Sequence, residues 1–436
     1  MTPTAPTTAL RARPRPRTRL TDVGRWPWWV RVLAVYLGAR ALSAVVILAV
    51  ARTQAANLWT SASPSYTEYT GLMWDATWYR EIAERGYPDE LPVGFDGHAR
   101  QSALAFFPLF PSLARGLMEV TGWSWEVAGP TLALALGVAA ALVVHQVVAA
   151  AVGPDSLRAA WSPRPAWWER TGPGAGRVRR ALPLASVTVL ALWGAAPVLQ
   201  VGYTESLALL LLAAAVLCLQ RRLYLTAVPV VLGLGLTRAV ALPFAVAVAA
   251  HAVARLRAQR REEDAFGLAE RVSLGVLAAA SAVAGVLWPA LVARMTGVPD
   301  AYEQTQAAWR ARGAVVPLLP WLDVARWWAP GWWPVLLLGE LAAAVGVVVA
   351  SRRLGPELQG WTAGYLAYLA LVIEPGTSLI RFLVLAFPGA AVAAAWALAA
   401  RRSRWWFAAL VLVGVASQVA WVACIWRLVP PQGWPP

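Results

Sequence analysis

One carboxylate in this chain stands where hydrophobic periodicity leaves no place for it. The segment from Trp74 to Pro88 reads Trp-Asp-Ala-Thr-Trp-Tyr-Arg-Glu-Ile-Ala-Glu-Arg-Gly-Tyr-Pro, and its spacing predicts a short amphipathic helix. At helical spacing Trp78, Tyr79 and Ile82 share one face, and Arg80, Glu81, Glu84 and Arg85 share the other. Asp75 falls within the apolar face. Gly86 and Pro88 end the helix. Two roles fit an aspartate there. It can cap the helix, since its oxygens accept from the free N–H groups of a first turn. It can also act as a general base at the membrane surface, where partial loss of water makes a carboxylate a better proton acceptor.

Other residues of the right chemistry are spread along the chain. Arg238 sits between two short apolar stretches, and Arg381 follows Thr377-Ser378 at the start of another. Arginine within a membrane is costly, so it is paired, snorkels to the interface or has a function. The guanidinium fork matches phosphate oxygens. Glu205, in Gly202-Tyr203-Thr204-Glu205-Ser206, marks a hairpin tip and reads either as a solvated helix end or as a site residue. The polar stretch Asp300 to Arg310 spaces Tyr302 and Trp309 among amides, a composition suited to sugar binding or to an interfacial helix. Arg40 and Glu340 each lie near mid-span in oppositely directed segments. Equal rise per residue places them at matching depth, which predicts a buried structural ion pair. His98, His145 and His251 have no metal-ligand spacing, and no nucleotide-binding motif occurs. No cofactor is expected from the sequence, and it leaves any divalent metal requirement open.

The elements that must hold these residues are membrane spans. Of 436 residues, 59% are hydrophobic and 14% charged, which excludes an ordinary soluble domain. The net charge of +15 would point to nucleic acid in a soluble protein. Here the basic residues, all arginine, collect in alternate loops, as the positive-inside rule requires. Nucleic acid is therefore not an expected partner. The arginine, alanine and proline richness suits a high-GC bacterial genome, so the expected location is a bacterial plasma membrane. Cys218 and Cys424 lie in apolar runs and read as packing residues.

The predicted layout is a basic disordered tail at 1–28, a transmembrane domain at 29–426 and an extracytoplasmic tail at 427–436. The first apolar run ends in Ala49-Val50-Ala51, similar to a signal-peptidase site. It exceeds the ~7–15 residues of a signal core, so it reads as an uncleaved anchor. With the N-terminus cytoplasmic, 52–126 becomes the first extracytoplasmic loop, carrying the Asp75 helix and an interfacial helix ending near Glu119. The loop at 151–180, with Arg158, Arg164, Arg170, Arg177, Arg179 and Arg180, is cytoplasmic, and 296–330 is extracytoplasmic. Residues 224–254 have basic flanks on both sides and are predicted to fold back at Thr237-Arg238. The count is about nine full spans plus that pair, or 9–11 transmembrane helices, in an all-α polytopic fold. Trp pairs at 327–328, 332–333 and 405–406 mark span ends as an interfacial belt.

An ordered set of motifs then carries a resemblance. Trp74-Asp75…Ile82-Ala83…Gly86-Tyr87, Phe106-Phe107-Pro108-Leu109-Phe110-Pro111, Tyr203-Thr204-Glu205-Ser206, Leu236-Thr237-Arg238 and Ser378…Arg381-Phe382 resemble the PIG-V-type mannosyltransferases. These include the second mannosyltransferase of GPI-anchor synthesis and actinobacterial members. The resemblance spans Trp29 to Trp426. It implies a GT-C glycosyltransferase fold, a polyprenyl-phosphate-mannose donor, an extracytoplasmic active site and Asp75 as the catalytic residue. Ala239 stands where the family pattern has Pro, and Phe382 where Tyr is common. The substrate-binding residues expected on this reading are Trp74, Tyr79, Glu205, Arg238, Tyr302, Trp309 and Arg381. The expected partners are the lipid-linked donor, a glycan or glycolipid acceptor and membrane lipids. Two rivals stay open: a lipid-linked-sugar flippase or other transporter, and the same fold using arabinose or galactose.

Overall fold

The computed structural model describes residues 26–154, 156–162, 175–310, 313–429 and 435–436. The basic segment at 1–25, Arg164 and Arg170 of the basic loop, and half of the 427–436 tail lie outside the described residues.

The first helix, α1 (Trp28–Ala51), is long and apolar. Three short helices follow: α2 (Tyr66–Gly71), α3 (Asp75–Arg85) and α4 (Leu109–Thr121). The chain continues through α5 (Trp125–Ala151), α6 (Arg158–Trp161), α7 (Ala175–Ala191) and α8 (Glu205–Gln220). Next come α9 (Tyr224–Gly235), α10 (Ala241–Arg260) and α11 (Leu268–Thr296). Two short helices, α12 (Ala301–Ala307) and α13 (Leu319–Trp328), lead to α14 (Trp333–Ser351) and α15 (Pro356–Val372). The last are α16 (Leu379–Phe382), α17 (Pro388–Ala399) and α18 (Ser403–Trp421). The protein is an all-α polytopic membrane protein. Six described helices are long and apolar enough to cross a membrane: α1, α5, α10, α11, α14 and α18, the last two each with the turn that follows.

That number is smaller than the span count predicted from charge alternation, for a physical reason. Of the predicted full spans, α7, α8 and α15 have 17, 16 and 17 residues, short of the ~20 needed to cross. The apolar run after Arg381 is broken, with α16 and its 3-10 turn bent 80° from α17. Pro388 opens α17 and lacks the N–H that would continue the earlier helix. The 224–254 segment divides around Thr237-Arg238 as predicted, but not into two short helices: α9 has 12 residues, whereas α10 has 20 and is long enough to cross.

The core gathers around α8, whose Leu207, Leu209, Leu212, Val216 and Leu219 are buried. Helix α14 is the opposite case, with only 6% of its apolar window buried. The α10–α15 contact depends on two glycines one turn apart. A Cβ on Gly360 would lie 2.8 Å from the Ala247 backbone, and one on Gly364 would lie 2.6 Å from the Pro243 carbonyl oxygen. Small residues at this spacing let two helix backbones approach where lipid offers no hydrophobic drive to pack. Trp327, Trp328, Trp332, Trp405 and Trp406 are exposed at helix ends.

The predicted Arg40–Glu340 pair does not form. Arg40 is buried and donates to the carbonyl oxygens of Ala191, at the end of α7, and Ala196, in the turn that follows. At Ala191 it thereby satisfies a carbonyl that a helix end leaves free. Glu340 lines a cleft with Trp321, Leu336 and Ile425. Matching depth along two helices says nothing about which helices are neighbours, and α1 packs on α7.

At the arginine-rich end, a polar network ties four helices together. Buried His251 of α10 has Nδ1 2.7 Å from Glu357 Oε1 of α15, and Nε2 2.9 Å from the Tyr224 hydroxyl of α9. Tyr224 donates to Glu270 of α11 at 2.8 Å. Arg255 donates to Glu270 and Asp264, and Arg222 also donates to Asp264.

Candidate functional site

The Asp75 helix begins abruptly. Trp74 holds φ 57° and ψ −128°, an uncommon backbone state for a residue with a side chain, of the kind that clusters at functional sites. Asp75 is the first residue of α3, and Trp74 occupies the cap position with no side-chain cap bond. The capping role for Asp75 is thereby replaced, and its carboxylate is used elsewhere. The Asp75 backbone N–H donates to the Tyr203 hydroxyl at 3.0 Å. Just before it, Trp125 Nε1 donates to the Gly71 carbonyl at 2.6 Å, and Gly202 N–H donates to the Thr70 carbonyl at 2.9 Å. These bonds fix the start of α3 against α5 and the 201–204 loop.

Three further segments converge there. The loop brings Thr204 and Glu205 to the N-terminal end of α8. The break between α9 and α10 presents Arg238, and it is pinned to α4 by Leu109 N–H donating to the Leu236 carbonyl at 2.9 Å. Helix α16 presents Arg381.

The four charged side chains form one chain of ion pairs. Arg381 Nη1 donates to Asp75 Oδ2 at 2.7 Å. Arg381 Nε lies 3.4 Å from Glu205 Oε1, and Arg238 Nη1 donates to that same oxygen at 2.6 Å. The order is Asp75, Arg381, Glu205, Arg238. Formal charge sums to zero over the set. Glu205 is fully buried, so its reading as a solvated helix end is corrected. Its buried Oε2 has no hydrogen-bond partner among the described residues. Asp75 is the more open carboxylate, with a side chain 27% exposed against 1% for Glu205.

Aromatic rings enclose the guanidiniums. Arg381 lies over the rings of Tyr203 and Phe382, at 4.9 and 5.1 Å, and Arg238 lies 4.8 Å from the Phe382 ring centre. Weakly hydrated guanidinium suits such faces. Phe382 is therefore a wall for both cations. Tyr79 is buried, with its hydroxyl 3.4 Å from Thr204 Oγ1, and Arg238 Nη1 reaches the same oxygen at 3.4 Å. Burial, before the neighbouring charges, pushes the Tyr79 and Tyr203 phenols above their ordinary range, so both hold their protons.

The structure thus brings together Asp75, Tyr79, Glu205, Arg238 and Arg381. The remaining expected residues lie farther out. Trp74 turns its indole to Trp59, at 5.0 Å, and donates Nε1 to the Trp426 carbonyl at 2.8 Å. Tyr302 packs on Phe107 at 6.1 Å and accepts from Gln306. Trp309 sits edge-on to Trp78 and Phe106, each at 5.7 Å, and Phe106 in turn meets Tyr79 at 5.3 Å. Trp309 therefore reaches the charged set only through other rings. Sequence reasoning assigned no role to Tyr203 or Thr204. Their signal was present, since polar side chains flanking a glutamate at an apolar hairpin tip require partners. Trp426, packed 5.5 Å from Tyr203, had no such signal.

Two guanidiniums in a neutral, aromatic-walled set can take up an oxyanion. The more open carboxylate beside them can receive a proton from a hydroxyl. No group of three or more metal-ligating side chains occurs among the described residues. Fold and site define a polytopic membrane protein with a buried charged centre at one end of its bundle. No family model, curated protein or solved structure matches this chain.

Proposed function

We propose that this protein is an integral membrane glycosyltransferase of the GT-C type, related to the PIG-V-type mannosyltransferases. It transfers mannose from a polyprenyl-phosphate-mannose donor to a glycan or glycolipid outside the cytoplasm. The observation that carries this reading is the convergence of Asp75 with Arg381, Glu205 and Arg238 from four distant parts of the chain. These are the motif positions on which the resemblance rests.

The acceptor hydroxyl oxygen attacks the anomeric carbon and forms the new C–O bond. Its proton passes to Asp75. The bond from the anomeric carbon to the phosphate oxygen breaks, and the lipid phosphate leaves with both electrons and one further negative charge. Attack opposite the leaving group inverts the anomeric centre. Arg381 and Arg238 stabilise the charge that develops on the phosphate, an electrostatic contribution that preformed cations make without reorganisation. A mainly apolar cleft of about 660 Å³ has Leu379 and Ile380, the two residues before Arg381, in its wall. That cleft suits the hydrocarbon chain of a donor arriving sideways from the bilayer.

The test uses membranes containing the protein and a synthetic polyprenyl-phosphate donor with radiolabelled mannose. Label should pass to an envelope acceptor with the wild type, and Asp75→Asn should abolish transfer at equal expression. Transfer that persists in Asp75→Asn removes Asp75 from the chemistry. Sugar-linked lipid that crosses the bilayer regardless of Asp75, with no transfer, favours the transporter.

A further inference from the structure

We infer that Asp75 is masked in the resting protein, and that the donor phosphate unmasks it by taking its place on Arg381. This rests on the glycosyltransferase reading and adds the order in which the site must be filled.

As the site stands, its two tasks compete at one contact. Arg381 Nη1 donates to Asp75 Oδ2 at 2.7 Å. While that bond holds, Asp75 Oδ2 is occupied by a guanidinium hydrogen. The same Nη1 hydrogen is withheld from a phosphate. Opening the bond releases that oxygen and that hydrogen together.

The geometry indicates which partner moves. Glu205 is fully buried and carries both guanidiniums on one oxygen, Arg238 at 2.6 Å and Arg381 Nε at 3.4 Å. Moving it would strand buried Arg381 and the half-buried Arg238. Asp75 is 27% exposed and, among the described residues, its carboxylate is hydrogen-bonded by Arg381 alone. Its backbone is held separately by the Tyr203 hydroxyl, so the carboxylate can turn away without unfolding the helix start. Glu205 is thus the fixed anchor of the pair of cations, and Asp75 is the exchangeable ligand. A phosphodiester oxygen is the natural replacement, because it is also an anion that accepts from the guanidinium fork. The exchange makes and breaks no covalent bond. Its consequence is an ordered site, in which the base becomes free only when a donor phosphate is seated.

The test is a binding cycle on the full-length protein in lipid nanodiscs. The probes are decaprenyl phosphate and, as the phosphate-free control, decaprenol. Wild type, Asp75→Asn, Arg381→Gln and the double variant are compared, with Asp75→Ala in place of Asp75→Asn if the asparagine form fails to fold. Asp75→Asn should bind decaprenyl phosphate about tenfold more tightly than wild type, a gain of about 1.4 kcal/mol, with decaprenol binding unchanged. In the Arg381→Gln background the gain should vanish, because a competitor matters only while the contested group is present.

An unchanged or weaker affinity in Asp75→Asn overturns the exchange. So does a gain of equal size without Arg381, which would be charge repulsion acting through space. Phosphate-independent binding in every variant overturns both the exchange and the donor class. The expected cycle in a protein that transfers no sugar would support the exchange and remove the glycosyltransferase reading.

Discussion

Arg381 Nη1 and Asp75 Oδ2 meet at 2.7 Å across a sequence separation of 306 residues. The contact depends on a helix that is cut short. Helix α16 has four residues and, with the turn after it, lies at 80° to α17. Arg381→Lys keeps the charge and loses the fork that spans Asp75 and Glu205. Mannose transfer should fall by about 10²–10³ in kcat, the scale seen when one preorganised donor to a developing oxyanion is lost. Steady-state rates at saturating donor test this. A rate within a factor of about two of wild type would show that a point charge suffices.

Glu205→Gln removes the buried carboxylate that holds Arg381 and Arg238 together. Its cost should be about 3–5 kcal/mol of stability, as for other buried pairs that lose one partner. The check is the melting temperature of purified protein, beside Glu340→Gln as control. Glu340 has no contact with Arg40, and its substitution should leave the melting temperature unchanged.

Gly364→Ala tests the close approach of α10 and α15. The added methyl would meet the Pro243 carbonyl oxygen at 2.6 Å, and backbone cannot swing aside as a flexible side chain can. Overpacking of this kind costs about 1–3 kcal/mol. Thermal denaturation should show the loss, and Gly339→Ala, where a Cβ meets nothing within 4 Å, should not.

Glu357→Gln should weaken the network at the arginine-rich end without touching the Asp75 site. His251 is fully buried and has its Nδ1 only 2.7 Å from Glu357 Oε1. The expected loss is about 3 kcal/mol, with donor affinity retained in the folded fraction. A drop in donor affinity of the folded protein would mean that the two ends of the bundle are coupled.

Asp264 links stability to pH. A hydrogen bond from Arg222, with a second from Arg255, holds its carboxyl below the ordinary value of 3.8. The folded protein therefore binds this proton less readily than the unfolded chain. The stabilisation is complete above about pH 4 and is lost as the pH falls through the lower folded value. Melting temperatures of wild type and Asp264→Asn should differ at neutral pH and converge as the solution is acidified. A constant difference across that range would exclude the carboxylate as the cause.

Much of the architecture was legible in the sequence because it rests on local patterns. The amphipathic spacing and the Gly86 stop located α3 almost to the residue. The basic flanks of 224–254 called for a fold-back, and the break came at Thr237-Arg238. The Arg40–Glu340 pairing failed for a definite reason. Rise per residue fixes depth along an axis, but which helices become neighbours depends on side-chain packing over the whole bundle. The span count failed in the same way. Charge parity counts crossings as if every apolar run were long and straight, whereas α7, α8, α15 and the bent α16–α17 pair are too short or too angled to be counted so.

The sequence by itself determined that this is a polytopic α-helical membrane protein, and it singled out Asp75, Glu205, Arg238 and Arg381 as charges needing a reason. Each of those signals is local, because a charge within an apolar stretch is costly wherever the stretch goes. Only the tertiary structure decided that the four reasons are one. Ion pairing requires oxygen and nitrogen within a few ångströms, and that proximity arises only after α3, the end of α8, the α9–α10 break and α16 pack at one end of the bundle. The tertiary structure also decided the order within the set, with Glu205 buried between two arginines and Asp75 at the open end. Burial depends on what surrounds a residue, and no residue's own neighbours in sequence report it.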